Sequence, residues 1–388
     1  MKIVYIVPYF LPSVGGIITH VFDLARALIS DGYDVEIYAS AAYPQHSPNS
    51  INKSRAKFEE VIVHYEKEYF PFLIRQIRNV HIPPDADVIH IHNYDRILAD
   101  VSIFKSILNN KPVLITLHGS FLGPRFLGSK LSSLKILHDF IIATKLLQYT
   151  KKIITLCNKE KSDLISNFGI EKELISIIPN WVQDIAFEEH DASESVNNLL
   201  EKINGQYIVS LSRIDKNKRL ELIIRALPAL PEDVHYIMIG PDNGEVSSLL
   251  KLASELNVRW RVHYLGPIYG ADKFIILRNS LALVLPSQFD FFPLAILEAL
   301  AQGTPVLASP TGCVPDIVQP KHNGYFINTK EDIEKFILEL YINSNLRRKL
   351  SHNARVTAEK FRFSRTYPKI KKLYEEVIES EARKQTAG

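Results

Sequence analysis

The sequence predicts an α/β protein made of two doubly wound parallel-sheet domains facing across a cleft. Three observations carry this expectation. Short apolar runs alternate with amphipathic helical stretches through the first half of the chain. The same alternation restarts after a polar segment at 188–198. Several runs end in loops rich in Gly, Pro, His or charged residues, at the strand ends where open α/β sheets bind ligands. With 388 residues and a hydrophobic fraction of 46%, the chain has apolar material for two such cores. A charged fraction of 23% and a net charge of +3 give no case for nucleic acid as a partner.

The first domain is expected over 1–185. Its first strand is predicted at 2–7, which reads as a strand rather than a signal peptide. A loop with Pro8, Pro12, Ser13, Gly15 and Gly16 follows, then an amphipathic helix over 17–29 with Val21, Leu24, Ala25 and Leu28 on one face. Strand, glycine turn and helix suit an anion. Gly15-Gly16 lacks the spacing of the dinucleotide fingerprint, so a tight turn and a ligand loop both stay open. Further strands are predicted at 34–39, 88–92, 112–118, 152–156 and 174–178. His118-Gly119-Ser120 ends one of them and should line the cleft, although a lone histidine is usually structural. His90 and His92 alternate onto one strand face with no acid or third histidine at ligand spacing, so no metal site is predicted.

Between 101 and 158 the bases are Lys105, Lys111, Arg125, Lys130, Lys135, Lys145, Lys151 and Lys152, and Asp139 is the sole acid. Leucines and isoleucines interleave with them. Such a stretch is either a solvated helix face over a buried stripe or a face for an anionic membrane surface. No apolar run approaches the ~20 residues that span a bilayer. Cys157 and Cys313 fit no ligand spacing and are expected as buried free thiols in a reducing cytoplasm.

The second domain is expected over 199–363. Strands are predicted at 207–211, 235–239, 262–265 and 281–285, with a helix at 220–227. Two helices, 345–360 and 364–383, end the chain, and the last is expected to pack back on the first domain. Arg213 and Lys218 stand in the loop after the strand at 207–211, where Arg can grip a phosphate with two N–H groups and Lys adds a point charge.

The stretch 285–300 reads as a strand end, a loop holding Asp290, and a helix holding Glu298. Pro293 suits a first helical turn, and Gly303 suits the stop. The helix start offers free N–H groups to an anion. Two carboxylates eight positions apart can each grip a polyol through two hydroxyls. The spacing alone leaves open that Asp290 caps the helix and Glu298 sits on its wet face.

Taken together, Pro8 with Gly15-Gly16, His118-Gly119, Ile178-Pro179-Asn180, Ser212-Arg213 with Lys218, Pro286-Ser287 with Asp290 and Glu298-Ala299, and Gly303-Thr304-Pro305-Val306 form a recognisable order. Over nearly its whole length the sequence resembles the family-four retaining glycosyltransferases, which carry the group 1 transferase domain. The resemblance implies a GT-B fold of two Rossmann-like domains, with the acceptor mainly in the first and the donor mainly in the second. It implies a hexosyltransferase that moves sugar from a nucleoside diphosphate to a hydroxyl acceptor; with basic residues to neutralise the charge and no carboxylate cluster to suggest Mg²⁺, no metal or other cofactor is expected. Arg213 and Lys218 then hold the diphosphate, and Glu298 the ribose. Asp290 and His118 contact the transferred sugar. Gly16, Phe292 and Leu294 complete the donor set. Asp290 stands where the family usually has Glu, Phe291 where it has Gly, and Trp181 where Gly is common; these departures bear on donor identity. A lipid-linked or cell-envelope acceptor, reached from the cytoplasmic face of the membrane through 101–158, fits the basic stretch. A GT-B nucleotide-sugar epimerase and a non-catalytic sugar-nucleotide binding protein are the alternatives.

Overall fold

The computed structural model describes residues 1–12, 15–41, 54–66, 68–69, 77–78, 80–94, 96–119, 138–203 and 205–387. Ser13, Ser120, Arg125, Lys130 and Lys135 lie outside them. The chain forms two compact units, Met1–Asn180 with Thr366–Gly388, and Trp181–Arg365.

The first unit is built on an eight-stranded sheet. Its spatial order is Ile175–Ile177, Lys152–Thr155, Val113–Thr116, Val88–His92, Lys2–Ile6, Asp34–Ser40, Val61–Glu66 and Arg55–Phe58. All neighbours pair parallel except the last two, which pair antiparallel. Ile3, Val4, Tyr5 and Ile6 are fully buried, as expected of a central parallel strand covered on both faces. Helix Gly16–Ser30 buries Val21, Leu24, Ala25 and Leu28 as its periodicity predicts, and His20 with them. The last helix, Phe363–Ala387, supplies the rest of the cover. Its Ile370 and Tyr374 are fully buried, and the Tyr374 hydroxyl is set beside His90 Nδ1 and 3.2 Å from the Tyr5 hydroxyl. Tyr367 and Lys371 both bond the Asp31 carboxylate, at 2.8 and 2.5 Å.

The second unit has a six-stranded, wholly parallel sheet. Its order is Val262–Tyr264, Val234–Ile239, Gln206–Leu211, Ala282–Leu285, Val306–Ala308 and Gly324–Phe326. One core made of Ile208, Ile223, Tyr236, Val284, Leu307 and Ile337 joins this sheet to its helices.

Two expectations need correction, and two strands were not foreseen. The polar segment at 188–198 is not all linker: helix Glu194–Ile203 begins inside it. Val196 and Ile203, seven residues apart, are buried on one face, and the Ser193 N–H donates to Asp272 at 2.9 Å. Asn and Glu on the outer face hid that stripe. The strands Arg55–Phe58 and Val61–Glu66 lie at the sheet edge, where alternation with polar residues weakens the apolar signal. Cys157 and Cys313 are buried as expected, but neither is a free thiol; spacing along a chain carries no information on sulfur pairing.

Candidate active site

In the second unit, strand order runs outward from Gln206–Leu211 in one direction and from Ala282–Leu285 in the other. These two adjacent strands are the topological switch point, where the loops at the carboxyl ends diverge and leave a crevice. Arg213 and Lys218 come from the loop after the first strand. Asp290 and the helix Leu294–Ala301 come from the loop after the second.

Asn217 stitches the two loops together. Its carbonyl accepts from the Gln288 N–H at 2.7 Å, and its side chain donates to the Phe289 carbonyl at 2.6 Å and accepts from the Phe289 N–H at 3.2 Å. Beside it, Lys218 Nζ lies 2.5 Å from Asp290 Oδ2. Lys218 is buried, so this pair is held where water screens it poorly. A third loop braces the acid. Thr311 Oγ1 accepts from the Asp290 N–H at 3.1 Å and donates to its carbonyl at 3.0 Å. Gly312 has a φ of +52°, and a Cβ there would sit 2.4 Å from the Phe291 carbonyl oxygen, so only glycine fits.

The other predicted donor residues are placed differently. Glu298 does not meet Lys218; its Oε1 pairs with Lys273 Nζ at 2.7 Å, both side chains being largely covered. Arg213 is 60% exposed at its side chain, with Asp215 at 3.8 Å as its ionic neighbour. Phe292 is buried edge-on to Phe361, 6.2 Å between ring centroids, so its ring packs inward. Leu294 opens the helix directly after Pro293. Sequence reasoning missed Asn217, Thr311 and Lys273. The turn-forming character of Asn and of Thr-Gly was a usable signal; for Lys273 there was none, because its partner is 25 residues away.

In the first unit the switch point lies between Lys2–Ile6 and Val88–His92. Gly16 opens the helix Gly16–Ser30 after the first of these strands. His118 follows Val113–Thr116 with a φ of +51°, and Gly119 follows at +78°. This left-handed turn is tied down by Glu160, whose Oε1 accepts from the Gly119 N–H at 3.0 Å and Oε2 from the Leu156 N–H at 2.8 Å. Burial pushes the Glu160 carboxyl up to about 7 against those two bonds.

His118 Nε2 sits 3.3 Å from His92 Nδ1, and its ring stands edge-on to His20 at 4.8 Å. His90 Nε2 contacts the Thr116 hydroxyl at 2.8 Å. Burial pushes His90 and His118 down to about 3, and holds His20 and His92 well below the usual imidazole range. All four rings are therefore neutral at ordinary pH. His20, His92 and His118 also bring one ring nitrogen each within 4.8 Å of one another. A third histidine near His92 was not expected, since it comes from a helix far off in sequence. Three neutral imidazoles without a carboxylate are a donor set that suits a borderline cation.

Two units, each built on a largely parallel sheet with a topological switch point, are the architecture of the GT-B class. Family matches agree and cover the chain in tandem, Glycosyltransferase Family 4 over residues 14–184 and Glycosyl transferases group 1 over residues 191–357. The chain belongs to the glycosyltransferases of GT-B fold. An uncharacterized glycosyltransferase of Methanocaldococcus jannaschii is 24% identical over 342 residues, 85% of this chain and 86% of that one. The phosphatidylinositol N-acetylglucosaminyltransferase GPI3 subunit of Saccharomyces cerevisiae is 23% identical over 333 residues, 82% and 70% of the two chains. Among solved structures, Anabaena HepE in complex with UDP-glucose superposes with a TM-score of 0.74 at 19% identity, over 98% of this chain and 100% of that one. At that identity the likeness shows the fold.

Proposed function

We propose that the protein is a retaining hexosyltransferase of the family-four kind, taking its sugar from a nucleoside diphosphate donor and passing it to a hydroxyl. The observation that carries this reading is the Lys218–Asp290 pair at the switch point, with Glu298 on the adjoining helix. Lys218 and Arg213 neutralise the donor diphosphate, together with the N–H groups that open the helix at Leu294. Glu298, held by Lys273, takes the ribose hydroxyls. Asp290 orients the transferred sugar. His118 and Gly16 are assigned to the sugar and the donor phosphates on the family resemblance.

The bond broken joins the anomeric carbon to the diphosphate oxygen. The bond formed joins that carbon, on the same face, to the acceptor oxygen. The acceptor proton goes to the departing diphosphate, so no side chain acts as general base. Partly buried His118 is neutral and contributes hydrogen bonds rather than a proton. Lys218 and Arg213 carry the leaving charge without a metal ion in this reading.

The acceptor is proposed to be a lipid-linked or cell-envelope glycan, met at the inner face of the membrane. Phe104, Leu108, Ile141, Ile142 and Tyr149 are exposed in the basic stretch, beside Lys105 and Lys145. Among the described residues no helix is long and apolar enough to cross a membrane. The S. cerevisiae relative is named for a phosphatidylinositol acceptor.

A panel of UDP-, GDP- and ADP-sugars tests the donor half. The matching donor raises the melting temperature of the wild type and leaves the Lys218→Ala variant unmoved. Equal shifts in both proteins would remove Lys218 from the phosphates. Sugar recovered only on added acceptor, with no epimer from donor alone, separates transfer from epimerisation.

A further inference from the structure

A hollow lies at the opposite end of the second unit's strands from the switch-point loops. A concavity of 490 Å³ opens at the amino ends of three adjacent strands, where Gln206, Leu281 and Pro305 stand. The switch-point residues Lys218 and Asp290 belong to the carboxyl ends of the same sheet. One wall is the helix Ser344–Ala358, which turns Arg347, Arg348, Ser351, His352 and Arg355 toward the concavity at helical spacing. Arg278, at the end of helix Ala271–Arg278, closes the other side.

Among the described residues no carboxylate lines it. The ion-paired arginines among the described residues are Arg26, Arg213, Arg362, Arg365 and Arg383, and none of the pocket's four is among them. The whole chain carries 46 bases against 43 acids, so bulk charge does not account for four unneutralised guanidinia around one hollow.

Neutral acceptors hold the arginines in place and leave their charge intact. Arg278 donates to the Gln302 side chain at 2.8 Å and to the Glu188 carbonyl at 2.9 Å. Arg347 donates to the Leu340 carbonyl at 2.8 Å, and Arg348 to Asn345 Oδ1 at 2.5 Å. Arg355 lies over Gly303, where a Cβ would come within 2.9 Å of Nε. Anchored guanidinia with free N–H edges match oxyanions of phosphate type.

We propose that this pocket binds a phosphate group, as a phosphate monoester or diphosphate, at a site separate from the donor crevice. The ligand is either a soluble phosphate compound or the headgroup of an anionic lipid. The test uses the full chain carrying Arg213→Ala/Lys218→Ala, so that both side chains assigned to the donor diphosphate are gone. Inorganic pyrophosphate is titrated by calorimetry, and vesicles of phosphatidylcholine with and without phosphatidic acid are sedimented with the protein.

Saturable pyrophosphate binding, weakened at least ~10-fold by Arg347→Gln/Arg348→Gln and less by Arg348→Lys, establishes the site with a soluble ligand. Phosphatidic acid-dependent sedimentation, lost in the same double variant without any pyrophosphate response, establishes it with a lipid headgroup. Arg348→Gln alone, which removes no anchor to the backbone, serves if the double variant melts early. No binding in either arm, or binding that the arginine variants leave unchanged, overturns the proposal.

Discussion

At the scale of single residues, the Lys218–Asp290 pair sets the terms. Lys218 is buried, and Asp290 is the counter-charge that offsets its removal from water. Lys218→Ala removes that cation and leaves Asp290 without its partner. Turnover is expected to fall by on the order of 10²- to 10³-fold, as when one fixed transition-state donor is deleted. Steady-state kinetics at saturating donor checks it. Lys218→Arg is not expected to restore the rate, because a planar fork does not reproduce the point charge of an ammonium beside Asp290. Thr311→Val tests the bracing of the acid. It deletes both bonds to the Asp290 backbone and should cost about 1–2 kcal/mol of stability, read from the urea midpoint.

At the scale of elements, Glu160 joins two strand ends. Its carboxylate accepts backbone N–H groups from Gly119 and from Leu156. Glu160→Ala leaves both donors buried and unsatisfied, and the left-handed turn at His118 and Gly119 loses its clamp. Amide exchange at Gly119 should accelerate while exchange in the strand Lys2–Ile6 stays slow; uniform acceleration would make Glu160 a general stability residue instead. Elements of this kind also mark how far the sequence could be read. The central strands were legible because both faces are covered and most of their side chains are apolar, as in Lys2–Ile6 after Lys2 and in Val88–His92 apart from its two histidines. Asp290 and Glu298 were legible as loop and helix residues, since Pro293 and Gly303 bracket the helix chemically. The partners of those acids were less so. Lys218 and Lys273 lie 72 and 25 residues from the acids they meet, and which acid each takes depends on the stagger of two loops. Helix Glu194–Ile203 was masked by its polar outer face, and the His20–His92–His118 group by the distance in sequence between a helix and two strand ends.

At the scale of the molecule, the buried histidines tie stability to pH. Each of His20, His90, His92 and His118 binds a proton less readily in the folded chain than in the unfolded one. Stability is therefore undiminished by them above about pH 6.5, falls as pH drops below it, and levels off past the folded values. The slope is up to about 1.4 kcal/mol per pH unit for each histidine. Glu160 works in the opposite sense: raised to about 7, it favours the folded state as pH falls from 7 toward its unfolded value. Four groups against one leave a net loss in acid. The urea midpoint should drop between pH 6.5 and pH 5, and a flat profile there would mean that the imidazoles are not sequestered. Catalysis responds otherwise. Because the leaving charge is met by Lys218 and Arg213 in the proposed reaction, EDTA dialysis should leave turnover within about twofold of the untreated enzyme; a loss restored by added divalent cation would refute that part of the reading.

The helix Phe363–Ala387 places Tyr374 beside His90 and Tyr5, and sets Tyr367 and Lys371 on Asp31. A ribosome makes the whole of Trp181–Arg365 between the first strands of the Met1–Asn180 unit and this last piece of it. The earlier-made half must therefore wait, with the Tyr5 and His90 side of its sheet uncovered, until the later-made half has emerged. Nascent chains arrested before Thr366 are accordingly the ones a chaperone should find.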